Sequence, residues 1–189
     1  SLLRLPTGDP YAPSMVVVGE CSGSFRDALN ERFASSGLVA MSIDWRRCDS
    51  TVGGLHYCGD FRDVLWSRRW EIVIAHPTCA PAARSNKAGK PARIADGSMF
   101  EGMSNALLAL CAPAKRVIME QCESELADFY QPPDQVVQPW WFGVPYTKTW
   151  ALWTRNMPKF VATTPTELRE TAPHRTFCVD QVERVHVRS

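Results

Sequence analysis

The chain lacks a CxxC pair, a GxGxxG run, an internal repeat and any apolar stretch approaching the ~20 residues that span a bilayer. Without CxxC there is no case for a zinc ribbon or a thioredoxin-like redox motif. Without GxGxxG the dinucleotide fingerprint is missing. With no secretory leader and no spanning segment in view, the expectation is a cytoplasmic protein, in a bacterium or a phage-infected host cell, with no membrane partner. Charge of one sign is also lacking. Lysine and arginine total 21 against 20 acidic residues, a formal net charge of +1. That balance argues against a strongly basic nucleic-acid arm, so any nucleic-acid contact must come from a local patch.

What is present is ordinary for a globular chain of 189 residues, 45% hydrophobic and 22% charged, which is enough to bury one domain's core. Its seven cysteines, Cys21, Cys48, Cys58, Cys79, Cys111, Cys122 and Cys178, are odd in number and widely spaced. Reduced thiols in the cytosol are the simplest reading.

Residues 1–14 are proline-rich and read as a tail or linker. Met15–Val18 is a β-branched run ending at Gly19, followed by the small-residue turn Glu20-Cys21-Ser22-Gly23-Ser24. Phe25, Leu29 and Phe33 fall at four-residue spacing and predict a helix that stops at Ser35-Ser36-Gly37. Leu38–Ile43 predicts a second strand ending at Asp44, and Arg46–Tyr57 reads as loop. A short helix is expected over Asp60–Trp66, a strand over Glu71–Ala75, and a mobile basic loop over residues 80–95. Phe100–Cys111 predicts a longer helix and Arg116–Met119 a strand ending at Glu120. A short helix near Glu123–Phe129 and two β-like stretches, Gln135–Pro139 and Thr149–Trp153, complete a domain over 15–157, with 158–189 as a C-terminal extension. Strands alternating with helices imply a mostly parallel sheet covered on both faces, with ligands beyond the carboxyl ends of the strands. Glu20, Asp44, Cys79 and Glu120 stand at or just past such ends.

Each of these residues has two readings. The turn after the first strand suits close approach of backbone amides to a cofactor, or is an ordinary strand–helix turn. Asp44 can accept hydrogen bonds from ribose hydroxyls, or simply face solvent. Cys79 is a nucleophile if its thiol is acidified. Composition alone favours an inert buried cysteine. Glu120 could orient or protonate a heterocycle, or serve as a helix N-terminal acid. His76 and Cys79 form an HxxC pair with no second pair, so no metal is assigned. Trp140, Trp141, Phe142, Trp150 and Trp153, with Tyr146 and Lys148, could stack bases or fill a core, and core is the commoner use.

Taken in order, these pieces resemble the motif set of DNA cytosine-C5 methyltransferases, and look closest to a short branch found in phages and prophages. VVVGECSGSFRDAL is similar to that family's first cofactor motif, which would place Gly19, Glu20, Cys21, Ser22 and Gly23 at the cofactor. MSIDW resembles the second motif, with Asp44 on the ribose and Trp45 beside it. CGDFRDVL resembles the third, with Asp60 toward the adenine amine and Phe61 flanking the ring. IVIAHPTCAPAARS resembles the catalytic PPC loop, keeping Pro77 and Cys79. RVIMEQCE resembles ENV, keeping Glu120. QPWWFGVPYTKTWALW resembles the later FGxPxxR motif, or the QPxxFGxxxxKxTxLW segment of the phage branch, with Lys148 the nearest cation.

The resemblance implies a Rossmann-like, S-adenosylmethionine-dependent methyltransferase fold. The acceptor would be cytosine, in DNA or as a pyrimidine nucleotide. Cys79 would be the nucleophile, Glu120 the base-orienting acid and Lys148 an assisting cation. The sequence departs from the pattern at His76 for the first proline, Ala80 for the following glutamine, Gln121 and Cys122 for Asn-Val, and Ser24-Phe25 for the second glycine run. Little sequence remains for target recognition. A protein partner could supply it, or the acceptor could be a single strand or free nucleotide. The alternative is a catalytically inactive module of this fold within a larger assembly.

Overall fold

A computed structural model describes residues 12–144 and 148–164. Most of the tail over 1–14, Tyr146, Cys178 and residues 165–189 of the extension lie outside them.

The core strand β1, Met15–Val18, is buried along its whole length, as a strand covered on both faces must be. It pairs in parallel with β2, Ala40–Asp44, on one side and β4, Trp70–Ala75, on the other. The short edge strand β3, Leu55–Cys58, joins β2, and β5, Ala114–Gln121, joins β4. β7, Trp150–Arg155, runs antiparallel to β5 and carries β6, Gln135–Val137, antiparallel on its outer edge. The seven strands lie in the order β3-β2-β1-β4-β5-β7-β6. The parallel members keep the 3-2-1-4-5-6 order of doubly wound nucleotide-binding sheets, with β7 inserted antiparallel.

Helix α1, Ser24–Phe33, links β1 to β2; α2, Arg62–Leu65, follows β3. The short α3, Lys90–Ala95, precedes α4, Ser98–Leu110, and α5, Leu126–Phe129, follows β5. The chain steps one way from β1 to β2 and the opposite way from β4 to β5. Crossovers of one hand therefore put α1 and α4 on opposite faces. α4 buries Met99, Met103, Ala106, Ala109 and Leu110 against the sheet, where Trp70, Leu65, Met119 and Trp153 complete the core. Among the described residues, no helix is long and apolar enough to cross a membrane.

The structure corrects the expected elements in two places. Leu55–Cys58 is a strand where a loop was expected, because a half-exposed edge strand has no apolar run to announce it. Residues 80–95 are not one loop: Ala80–Ala82 forms a 3-10 turn and Lys90–Ala95 a helix, anchored where Arg93 Nε donates to the Pro81 carbonyl at 2.6 Å. Residues 158–164 pack against the sheet edge. Phe160 N donates to Gln135 Oε1 at 2.8 Å, and Thr163 N to the Trp141 carbonyl at 2.8 Å.

Register fixes the site. Val18 aligns with Ile43 and Ala75, and Ala75 with Met119. Gly19, Asp44, His76 and Glu120 are each one residue further on, so they stand side by side along the carboxyl edge of the sheet.

Candidate functional site

Two cavities open at this edge and share His76 as a common wall.

The larger, about 640 Å³, lies beyond β1, β2 and β4 and reaches the start of α4. Gly19, Asp44, Trp45, Phe61 and Pro77, five of the sequence candidates, line it. Gly19 is required by the backbone. Its φ is +76°, and a β-carbon there would fall 2.2 Å from the His76 carbonyl oxygen. The Asp44 side chain is mostly buried, and its Oδ1 accepts from Arg46 N at 2.9 Å and Arg46 Nε at 3.2 Å. Trp45 is 69% exposed, an unusual exposure for so large an apolar ring, and it forms one rim of the cleft.

The other cofactor candidates do not line this cleft. Glu20 is buried and turns back onto its own helix: Oε1 accepts from Phe25 N at 2.6 Å and Ser22 Oγ at 3.2 Å, and Oε2 from Arg26 N at 3.2 Å. The first amides of α1 are thereby spent on a carboxylate within the chain. Gly23 takes φ +75° against the Arg26 guanidinium, and burial pushes the Cys21 thiol up. Asp60 caps α2, accepting from Arg62 N at 2.9 Å, and its ion pair with Arg62 holds its carboxyl below the usual range.

Arg26 braces the loop that follows Trp45. Its side chain is fully buried, yet it is paired with Asp27 at 2.7 Å and donates to Ser42 Oγ, Cys48 Sγ and the Gly53 carbonyl. It ties the loop after Trp45 to α1 and β2, and nothing in the spacing of the sequence signalled that role.

The second cavity, about 480 Å³, is walled by Phe25, Phe142, Trp150, Leu152 and Phe160, with Glu120 and Lys148 supplying its charge. His76 Nδ1 lies 3.3 Å from Glu120 Oε2, and its ring lies 4.9 Å from that of Phe25. The Lys148 ammonium sits 6.0 Å from the Trp150 ring centroid. The aromatic cluster of the sequence thus divides. Trp140 and Trp153 are core, whereas Phe142 and Trp150 face the cavity.

Cys79 leads into the 3-10 turn that follows β4. That loop is stitched to the segment after β5. Gln121 Nε2 donates to the Pro77 carbonyl at 3.3 Å, Arg84 N to the Glu123 carbonyl at 2.9 Å, and Glu125 N to the Ala82 carbonyl at 2.8 Å. The stitching sets Cys122 near Cys79, and Cys122 Sγ donates to the Glu123 carbonyl at 3.7 Å. The Cys122 hydrogen bond lowers the Cys79 thiol from 9.0 to about 6, overcoming burial and the nearby Glu120, with help from Lys148. The same contact pushes Cys122 up. Sequence reasoning singled out Cys79, Glu120 and Lys148 but gave Cys122 no role; Cys79 lies 43 residues from it along the chain, across β4 and β5.

No protein-family model matches the chain, and no curated protein matches it.

Proposed function

We propose that the protein is an S-adenosylmethionine-dependent methyltransferase acting on carbon-5 of cytosine, or a related pyrimidine, in DNA. One observation carries the reading. An acidified thiol, Cys79, lies close to Glu120 and Lys148, and those two line an aromatic cavity that abuts a second, cofactor-sized cleft, while Cys79 itself lines neither.

The cleft residues fit the cofactor. Its volume lies within the ~300–1,000 Å³ of small-molecule sites. Both bonds from Arg46 go to Asp44 Oδ1, so Oδ2 would take a ribose hydroxyl, while Trp45 and Phe61 would flank an adenine. When bound, the cofactor supplies an electrophilic methyl group. The chain's own residues do the rest. Carbon-5 of cytosine is a weak nucleophile; adding the Cys79 thiolate to carbon-6 converts the ring to an enamine that is nucleophilic at carbon-5. Glu120 hydrogen-bonds the N3 edge and offsets charge on the ring, held there by His76. Once carbon-5 carries the methyl group, its proton passes to solvent, the bond between Cys79 and carbon-6 breaks, and the aromatic ring is restored. The aromatic walls suit an unstacked base, and a duplex acceptor would have to flip its cytosine into them.

The test is transfer of labelled methyl groups to DNA and to free pyrimidine nucleotides. Cys79→Ala abolishes transfer and leaves cofactor binding near normal; equal activity in variant and wild type sinks the covalent mechanism.

A second reading is favoured by a specific observation: Glu20 already occupies the first amides of α1, and Arg46 holds Asp44. These contacts suit a domain that keeps the fold as a binding or structural module. Titration calorimetry with S-adenosylmethionine and S-adenosylhomocysteine separates the two, since the module binds neither.

A further inference from the structure

We propose that His76 sets the base specificity of the aromatic cavity: it holds Glu120 Oε2 as a hydrogen-bond acceptor, so the site takes a pyrimidine with an amine at carbon-4 and refuses one with a carbonyl there. How the base lies against Glu120 rests on the methyltransferase reading; the state of the His76–Glu120 pair does not.

His76 stands in the wall between the two cavities and is held firmly there. Its backbone N donates to the Val18 carbonyl at 2.8 Å, and its own carbonyl is packed against Gly19 so closely that no β-carbon fits. The Phe25 ring lies 4.9 Å from the imidazole, tilted by 38°, and Phe25 N is in turn bound to Glu20 Oε1 at 2.6 Å. In this setting Nδ1 lies 3.3 Å from Glu120 Oε2, while Nε2 is buried with no hydrogen-bond partner among the described residues. A proton on Nε2 would therefore bury an N–H unmet, and in the neutral ring it would also turn the Nδ1 lone pair toward the carboxyl group. A proton on Nδ1 alone is donated to Oε2 and leaves only a bare lone pair at Nε2. The geometry selects that tautomer.

The tautomer dictates what Glu120 can offer a ligand. Oε2 already receives a proton, so it only accepts, and any proton that Glu120 carries sits on Oε1. Such an acid donates from Oε1 to a bare N3 and accepts at Oε2, through its second lone pair, from the neighbouring amine. That is the edge of cytosine. Uracil presents the reverse, an N–H at N3 and a carbonyl at carbon-4, and its carbonyl would meet Oε2 with no proton between them. Both rings share the carbon-2 carbonyl, which suits a donor-only group such as Lys148, the other charged side chain lining the cavity. His76 is thus a positioning residue that acts through Glu120.

Two variants separate the donor from the ring. His76→Asn keeps an amide donor near the place of Nδ1 and loses the ring. His76→Phe keeps a flat ring against Phe25 and loses the donor. Titration calorimetry with deoxycytidine and deoxyuridine should show the wild type preferring deoxycytidine by roughly tenfold to hundredfold. His76→Asn should keep most of that ratio, and His76→Phe should lower it to about threefold or less. The ratio compares two ligands on one protein, so a general loss of stability does not move it. Proton–nitrogen correlation spectra of the wild type, with the His76 signals identified by their absence from His76→Phe, should show Nδ1 protonated and Nε2 bare. A ring protonated at Nε2 overturns the proposal, as does an unchanged ratio in His76→Phe or equal binding of the two nucleosides by the wild type. Those results leave the methyltransferase reading standing. Failure of the wild type to bind either nucleoside overturns the pyrimidine reading and the specificity with it.

Discussion

Removing the Cys122 thiol should slow alkylation of Cys79 most at low pH. The Cys122 hydrogen bond is the largest influence on Cys79 and brings it from 9.0 to about 6. In Cys122→Ala the side-chain bond is gone; the backbone bond from residue 122 and Lys148 still favour the thiolate while burial and Glu120 oppose it, so Cys79 rises toward its ordinary value. With that value as the limit, at pH 7 the wild type is about 90% thiolate and the variant about 1%, a deficit of up to roughly 90-fold. Each thiolate of the variant is more reactive, because nucleophilicity rises with basicity at a Brønsted slope of about 0.4–0.5, which returns roughly 16- to 32-fold. The net expectation is a rate about 3- to 6-fold lower at pH 7, widening to about 30- to 60-fold at pH 5. The sign follows from ionisation: a lowered thiol stays reactive as pH falls until it crosses its own midpoint. Iodoacetamide modification of Cys79, followed by peptide mass against pH, gives both curves. The wild-type rate should level off above about pH 7, and the variant should keep climbing to about pH 9. Superimposable curves would refute the claim that Cys122 acidifies Cys79.

Asp44→Ala should weaken S-adenosylmethionine binding by roughly tenfold to a hundredfold, the scale of one or two lost hydrogen bonds to a charged group, as read by titration calorimetry. Arg26→Met removes a fully buried cation from Asp27, Ser42, Cys48 and Gly53. It should cost about 3 kcal/mol in urea denaturation, and an unchanged midpoint would contradict its bracing role. Trp153→Ala empties a site that is 0% exposed and loses the bond from Nε1 to the Gln131 carbonyl. About 4 kcal/mol of destabilisation is expected, measured the same way.

The alternation of strands and helices was legible in the sequence wherever a run of apolar residues was strong enough to mark it. Met15–Val18, Ala40–Ile43 and Ile72–Ala75 are nearly all apolar because helices cover the sheet on both sides, and that pattern survives without any tertiary information. β3 and α3 escaped because they are short and half exposed, so burial left no periodic trace in them. The candidate strand-end residues were legible for the same reason: once a strand is recognised, the residue after it is known.

The sequence by itself therefore determined the parallel core and put Gly19, Asp44 and Glu120 at strand ends, since local apolar patterning decides both. Only the tertiary structure decided which neighbours those residues have. Register set Gly19, Asp44, His76 and Glu120 in one row, turned Glu20 inward to cap α1, and brought Cys122 onto Cys79. Strand order and register depend on how whole faces pack, a non-local quantity that no spacing along the chain records.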